Sequence, residues 1–149
     1  MNTGSKWVLG QFLLLLAIGF SVAFFGGEPT VATTVAALIL FLAGQGLALS
    51  AALKMRQYIS AHPAPAPGAS LLRDGIYGLV RHPMYGGVLL MALAVAVFDR
   101  NLIAISLTAG LAALFFGKSS YEETLLEEAF LGYSDYQEQV SRRFIPWVL

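Results

Sequence analysis

Two long stretches without a charged residue constrain this chain more than any other feature of its sequence. They cover residues 7–25 and 30–53. Each is about as long as the ~20 apolar residues that a helix needs to cross a bilayer. Backbone inside lipid must satisfy its own hydrogen bonds, so both stretches are predicted to be helices. The Gly-Gly-Glu-Pro turn between them, at 26–29, is short and predicts an antiparallel hairpin.

Two shorter apolar stretches follow later in the chain, at about 84–98 and 102–117. The sequence Asp-Arg-Asn at 99–101 separates them and predicts a second hairpin with a tight turn. Charged residues make up 12% of the chain, about half of the roughly 25% that soluble domains carry. We therefore expect an all-α integral membrane protein, a single membrane domain over residues 1–149 with four transmembrane helices in two hairpins.

The positions of the basic residues predict how these helices are oriented. Lysine and arginine are enriched in the cytoplasmic loops of membrane proteins. Of the nine basic residues, only Arg100 lies on one side of the four-helix arrangement. The others lie on the opposite side, namely Lys6, Lys54, Arg56, Arg73, Arg81, Lys118, Arg142 and Arg143. Both termini and the linker at 54–83 are therefore predicted to be cytoplasmic.

The segment after Lys118 changes from apolar to amphipathic. Apolar and aromatic residues recur at helical spacing on one face, namely Tyr121, Leu125, Ala129, Tyr133, Tyr136 and Val140. This pattern predicts a cytoplasmic amphipathic C-terminal helix over about 119–140. The sequence leaves open whether this helix is separate or continues the fourth transmembrane helix.

Two features of the apolar stretches predict helix packing rather than a binding site. The second stretch contains Ala-Gly-Gln-Gly at 43–46, and the first contains Gln11. Small residues let helices approach closely in lipid, and an amide can form hydrogen bonds between helices. His62 lies in a proline-rich linker, and we expect it to be solvated.

Residues 74–87, with the sequence DGIYGLVRHPMYGG, form the first half of a candidate site. Pro83 suits the first turn of a helix, which places His82 close to the N-cap. Free backbone N–H groups at a helix N-terminus bind anions, and Arg81 adds a fixed positive charge beside them.

Four further residues of this stretch have properties that suit a ligand. Gly86 and Gly87 lack side chains, so we expect them to form a low wall that a ligand can approach. Tyr77 and Tyr85 supply flat faces for a stacked ring or a cation. A juxtamembrane anchor at the lipid headgroups would explain the arginine and a tyrosine, but not the glycine pair with proline and histidine.

The second half of the candidate site consists of carboxylates that follow the fourth apolar stretch. Glu127 and Glu128 are expected to be solvated. Glu122 begins a row that continues with apolar residues one and two turns later, so we expect it to face inward. Glu123 on the adjacent row is nearly as good a candidate. Arg81, Arg142 or Arg143 could be the partner of either carboxylate.

Together these motifs form the pattern Gly75-x-Tyr77-x-x-x-Arg81-His82-Pro83-x-Tyr85-x-Gly87, an apolar hairpin, Glu122-Glu123-x-x-Leu126-x-x-x-Phe130, Tyr133, Tyr136 and Phe144-Ile145-Pro146. The pattern resembles the isoprenylcysteine carboxyl methyltransferase family, which is related to the phospholipid methyltransferases. The resemblance covers about residues 72–146. Two positions depart from it: Ile76 stands where the family usually has proline, and Tyr133 follows Phe130 one residue earlier than in the usual Phe-Gly-x-x-Tyr spacing.

The resemblance implies methyl transfer from S-adenosylmethionine to a lipophilic acceptor at the interface of membrane and cytosol. The acceptor group would be a carboxylate, a thiol or an amine, and the product would be S-adenosylhomocysteine. The predicted cofactor contacts are Tyr77, Arg81, His82, Pro83, Tyr85, Gly86, Gly87, Glu122, Glu123 and Tyr136. The predicted catalytic residues are Glu123 and Arg143 or Arg142, either of which would orient an anionic acceptor. No metal is expected.

Other functions remain compatible with the sequence. Some membrane sterol and enone reductases that use NADPH carry a similar Tyr…Arg-His-Pro pattern. A small four-helix transporter that works as a dimer would usually need an ionisable residue within the membrane, and the apolar stretches contain no Asp, Glu, Lys or Arg. A purely structural membrane subunit is a third alternative. The expected partners are the bilayer and a lipophilic or lipidated substrate, with a homodimer left open; the net charge of zero argues against nucleic acid.

Overall fold

The computed structural model describes residues 3–56, 68 and 70–148. The described helices are α1 (Thr3–Phe25), α2 (Val31–Met55), α3 (Pro83–Phe98), α4 (Leu102–Ala129) and α5 (Tyr133–Gln139), with a 3-10 turn at Gly75–Gly78. The described part of the chain contains no β-strand, so the all-α prediction is confirmed. The prediction for His62 lies outside the described residues.

Three of the described helices, α1, α2 and α4, are long and apolar enough to cross a membrane. The fourth apolar helix, α3, has 16 residues and is shorter. Large apolar side chains point outward from these helices, among them Phe12, Leu16, Leu38 and Leu42. Soluble proteins rarely expose contiguous apolar surface of this kind. The chain is therefore an integral membrane protein.

The second predicted hairpin is confirmed, since α3 and α4 are joined by a tight turn and pack against each other, but the first is not. α2 packs along α3, α1 packs along α4, and α3 also packs against α4. α1 and α2 are joined by a short turn but do not pack along one another. Asn101 fastens the start of α4 to α1, because its side chain accepts from the Ala104 N–H at 3.0 Å and donates to the Ser21 carbonyl at 2.9 Å.

The contact between α2 and α3 depends on two glycines that face each other. A Cβ atom at Gly44 would lie 2.8 Å from the Gly87 carbonyl oxygen, and one at Gly87 would lie 2.7 Å from the Gly44 carbonyl oxygen. The prediction of close helix packing in this part of α2 is thus confirmed for Gly44. Ala43, Gln45 and Gly46 are exposed, so the packing within this chain does not extend to them.

α4 does not end where its apolar stretch ends. It continues to Ala129, because residues 118–129 contain neither glycine nor proline and are rich in good helix formers. The chain turns at Gly132, whose φ of 83° favours glycine. The segment 119–140 is therefore not one helix, contrary to the prediction. Its first part continues α4, which is one of the two possibilities that the sequence left open, and its second part forms α5.

Candidate functional site

The start of α3 and the polar part of α4 meet at one end of the helix bundle. Pro83 is the first residue of α3 and His82 is its N-cap, as predicted. The buried residues of α4 recur every three or four positions, as Leu111, Phe115, Lys118, Ser119 and Glu123. One face of α4 therefore carries apolar residues in its first half and ionisable residues near its end.

Glu123 is the centre of the site and is only 4% exposed. Its Oε1 atom accepts a hydrogen bond from Arg81 Nε at 2.7 Å and lies 3.0 Å from His82 Nε2. Its Oε2 atom accepts a hydrogen bond from Arg143 Nη2 at 3.0 Å. The start of α3 and the C-terminal segment thus both contact one buried carboxylate of α4.

His82 lies between two carboxylates. Its Nε2 atom faces Glu123, and its Nδ1 atom lies 3.4 Å from Glu122 Oε2. Both ring nitrogens can donate only when the imidazole is protonated. Burial by itself lowers the pKa of His82, but the hydrogen bonds and negative charges of Glu122 and Glu123 outweigh burial and raise the pKa above its ordinary value. The site therefore favours the charged form of His82.

Glu122 is the more accessible of the two carboxylates, with a side chain that is 22% exposed. Its Oε2 atom accepts a hydrogen bond from the Tyr85 hydroxyl at 2.9 Å. The Tyr85 ring stacks on His82 and on Phe115, with centroid distances of 5.6 and 4.6 Å. Sequence reasoning favoured Glu122 as the inward-facing residue, but Glu123 is the more buried one because it continues the buried row of Phe115 and Ser119.

The C-terminal segment is bound to the start of α3 through backbone hydrogen bonds. The N–H of Arg81 donates to the Arg142 carbonyl at 3.0 Å, and the N–H of His82 donates to the Arg143 carbonyl at 2.7 Å. Phe144 is buried beside them. Arg143 also donates from Nη1 to Ser120 Oγ at 2.9 Å. The Arg142 side chain is exposed, so only Arg143 of the two predicted arginines joins the cluster around Glu123.

Gly86 and Gly87 do not form an open wall for a ligand. A Cβ atom at Gly86 would lie 2.7 Å from the Phe144 carbonyl carbon and 2.9 Å from Leu47 Cδ2, and Gly87 faces α2. The predicted open wall is therefore wrong, because protein backbone already occupies that space. The predicted anion site is partly used as well, since the N–H groups of Tyr85 and Gly86 donate to the His82 carbonyl.

Tyr77 and Tyr136 are buried together at the edge of the site. The Tyr136 hydroxyl donates to the Tyr77 carbonyl at 2.6 Å. Burial raises the pKa of Tyr136 to about 12 and also raises the pKa of Tyr77. Arg81 donates from Nη1 to the Val140 carbonyl at 2.6 Å, which fixes the end of α5 beside them. These tyrosines fasten α5 to the 3-10 turn instead of presenting free faces.

Lys118 and Ser120 are two residues of this region that sequence reasoning did not assign to a site. In the sequence, Lys118 served only as evidence for the orientation of the helices. In the structure it is 1% exposed and donates from Nζ to Gln11 Oε1 at 2.7 Å. Its position four residues before Glu122 places both on one helix face, which is the signal that identifies it. No sequence signal distinguishes Ser120, the partner of Arg143, from other exposed polar residues.

Comparison with known proteins shows which family model the chain matches. The model of the phospholipid methyltransferase family matches residues 32–132. The matched range contains Arg81, His82, Glu122 and Glu123, and it ends before Arg143. No curated protein matches the chain.

Among solved structures, the fold is similar to that of the eukaryotic intramembrane Ras methyltransferase ICMT (isoprenylcysteine carboxyl methyltransferase). The TM-score is 0.66 at 21% sequence identity, and the similarity covers 99% of this chain and 55% of that chain. The chain thus spans about half the length of the protein whose fold it shares. The family resemblance expected from the sequence motifs is confirmed. Because the family model matches more than half of this chain, the chain belongs to the phospholipid methyltransferase family.

Proposed function

We propose that this chain is an integral membrane methyltransferase that uses S-adenosylmethionine and methylates a lipophilic acceptor. The observation that carries the proposal is the buried cluster in which Arg81, His82 and Arg143 converge on Glu123. Ionisable groups are costly to bury in a membrane protein and commonly mark a functional site. The family to which the chain belongs supports methyl transfer as the reaction.

The proposed arrangement in the membrane has four crossings with the cluster on the cytoplasmic side. α3 would be about 24 Å long at ~1.5 Å per residue, and it packs against both α2 and α4. A crossing at α3 also keeps the basic residues on one side, as the positive-inside rule requires. Both termini would then be cytoplasmic.

The residues at the rim of the cluster suit the parts of the cofactor. Glu122 and the Tyr85 ring suit its amino and sulfonium groups, through charge and cation–π attraction. Arg143 and Ser120, which are not fully buried, suit its carboxylate and hydroxyl groups. When bound, the cofactor would supply a methyl group attached to a sulfonium, which releases a neutral thioether as a good leaving group.

The buried residues of the predicted site have a supporting role in this proposal. Glu123 is engaged by Arg81, His82 and Arg143, so it positions them instead of contacting the cofactor. Pro83, Gly86, Gly87, Tyr77 and Tyr136 hold the start of α3, the C-terminal segment and α5 together. Methyl transfer is an in-line displacement, and correct positioning of the two reactants provides most of the rate enhancement. A rigid frame around Glu123 serves that purpose.

Calorimetric titration of the purified protein with S-adenosylhomocysteine tests the proposal. We expect micromolar binding, and we expect His82→Ala and Glu123→Gln each to abolish it while the far-UV circular dichroism stays helical. Glu127→Gln, at an exposed position of the same helix, is the matched control and should bind normally. Heat from NADPH but none from S-adenosylhomocysteine would indicate a reductase instead. Normal binding by both cluster variants would place the cofactor elsewhere.

A further inference from the structure

Gln45 is a polar side chain that faces outward from the middle of α2. It lies ten residues before Met55, the last residue of the helix, and so about 15 Å from that end. The side chain is exposed, and its amide makes no hydrogen bond within the described part of the chain. On a membrane-spanning helix an exposed side chain meets lipid, which offers an amide neither a donor nor an acceptor. Leaving the amide without partners there is unfavourable.

The other serine, threonine and glutamine side chains of the apolar stretches do have partners among the described residues. Gln11 accepts a hydrogen bond from Lys118. The hydroxyl groups form hydrogen bonds within their own helices or caps, at Ser21, Thr30, Thr33, Thr34, Ser50, Ser106 and Thr108. Gln45 therefore differs from them in needing a partner outside the described chain.

Exposed apolar residues extend from Gln45 along α2 in both directions, at alternating steps of three and four residues. These steps return to the same face of a helix every seven residues. The row, which we term the α2 seam, consists of Val31, Val35, Leu38, Leu42, Gln45, Leu49 and Ala52. All of them are exposed except Ala52, which is half-buried. Helices in membranes commonly pack along rows with this spacing.

The α2 seam is free because α2 uses its opposite face to contact α3. That face carries Gly44, which meets Gly87, and the buried residues Ala37, Leu47 and Ala51. α1 does not pack along α2 either. The neighbours of Gln45 on the outer surface, Ala43 and Gly46, are small and do not shield its amide.

A second copy of the chain is the partner that fits this seam. Two copies of one membrane protein insert in the same orientation, so a twofold axis that relates them is perpendicular to the bilayer and their α2 helices run parallel. Each residue of the seam then faces the same residue of the other copy. An amide carries both donors and an acceptor, so two facing Gln45 side chains can satisfy each other. One polar residue within an apolar seam also fixes the register of the two helices.

We propose that two copies of the chain associate in the membrane along the α2 seam, with two reciprocal hydrogen bonds between their Gln45 amides. The inference goes beyond the proposed function and does not rest on it. The cluster around Glu123 is formed by α3, α4 and the C-terminal segment, so each copy keeps a complete site of its own.

Sedimentation equilibrium in a density-matched neutral detergent measures this association. The wild type should be in equilibrium between monomer and dimer. Gln45→Leu should raise the dissociation constant about tenfold, since each interhelical hydrogen bond contributes roughly a factor of three. Gln45→Asn keeps the amide and should weaken the dimer less. Ser106→Ala removes an exposed hydroxyl that bonds to its own helix, so it is the matched control and should dimerise like the wild type.

Cross-linking through single cysteines locates the interface. The chain contains no cysteine, so each introduced thiol reports one position. In phosphatidylcholine vesicles under mild oxidation, Leu42→Cys and Leu49→Cys should form disulfide-linked dimers. Leu16→Cys on α1 is the control, because Leu16 and Leu42 are similarly exposed, at 69% and 61%. It should remain mostly monomeric.

Three outcomes would overturn the inference: a wild type that is monomeric at all protein-to-detergent ratios, an unchanged dissociation constant in Gln45→Leu, or equal cross-linking at positions 16 and 42. A monomeric wild type would mean that a lipid headgroup or a different protein satisfies the amide. Titration with S-adenosylhomocysteine keeps the two proposals apart. Absence of cofactor binding in a protein that dimerises would contradict only the proposed function, and cofactor binding by a protein that stays monomeric would contradict only the dimer.

Discussion

Replacing Gly86 with alanine is expected to loosen the C-terminal segment from the start of α3. The new methyl group would lie 2.7 Å from the Phe144 carbonyl carbon, and closer still to the carbonyl oxygen. Carbon atoms normally pack at about 3.5–4.0 Å. The Phe144 backbone must therefore move by roughly 1 Å, and the adjacent Arg143 carbonyl, which accepts from the His82 N–H, moves with it.

The size of the effect follows from the cost of overpacking. Inserting a methyl group into a well-packed region costs about 1–3 kcal/mol. Backbone atoms cannot rotate away as a flexible side chain would, so we expect about 2 kcal/mol, near the middle of that range. If the C-terminal segment opens locally, its docking equilibrium weakens by roughly thirtyfold, since ~1.4 kcal/mol corresponds to a factor of ten.

Hydrogen exchange of backbone amides measures this change directly. The N–H groups of Arg81 and His82 donate to the C-terminal segment, so their exchange in Gly86→Ala should accelerate roughly thirtyfold if exchange requires undocking. Gly46→Ala is the control, because a Cβ atom there has no neighbour within 4 Å and alanine favours helix. Unchanged amide exchange in Gly86→Ala, together with weakened cofactor binding, would refute the packing argument and restore the interpretation of Gly86 as a ligand wall.

Three further perturbations test the charge cluster and its frame. Glu123→Gln should lower the free energy of unfolding, measured by chemical denaturation, by about 3 kcal/mol, because it leaves buried cations uncompensated. The exposed control Glu127→Gln should lower it by less than ~0.5 kcal/mol. Equal losses in the two variants would contradict the central role of Glu123 in the cluster. The folded-state pKa of His82 is raised, so its stabilising contribution is complete below the unfolded pKa of about 6.5 and is lost as the pH rises through the folded-state pKa. The stability difference between wild type and His82→Gln should therefore shrink toward alkaline pH, and a difference that grows there would be inconsistent with an imidazolium. Tyr136→Phe removes the buried bond to the Tyr77 carbonyl and should cost about 1–2 kcal/mol in thermal or chemical unfolding; no measurable loss would show that this bond does not support the fold.

The features that could be predicted from sequence are those that short segments specify. An uncharged stretch of membrane length can only be a helix in lipid, so the apolar helices were predictable. Pro83 fixes the start of α3 because its missing N–H is tolerated only in a first turn. The motif containing Arg81 and His82 and the Glu122-Glu123 pair were identified as the two halves of one site, and the structure brings them into contact.

The features that could not be predicted depend on residues distant in sequence. Gly86 lacks a side chain and so suggested a wall that a ligand could approach, but the Phe144 backbone fills the adjacent space. The charge of Lys118 predicts a position at the membrane boundary, yet the residue is buried in contact with Gln11. The end of α4 was left open by the sequence for a different reason. Loss of apolar character shows where a helix leaves lipid, whereas the helix itself ends only at the turn around Gly132.

The division of roles between the ionisable groups follows from which of them are already paired. Glu123 holds Arg81, His82 and Arg143 in place, and so has little capacity left for a ligand. Glu122 and Lys118 have capacity left, and they lie one turn apart on α4, a rise of about 6 Å. Both contact Tyr85, the carboxylate at its hydroxyl and the ammonium over its ring. Glu122 is the more exposed of the two, which fits a cationic cofactor that arrives from water. Lys118 is buried against α1, where its ammonium donates to the Gln11 amide. Tyr85 thus joins the start of α3 to both groups of α4, and in the proposed function it lies beside the carboxylate that the cofactor would meet first.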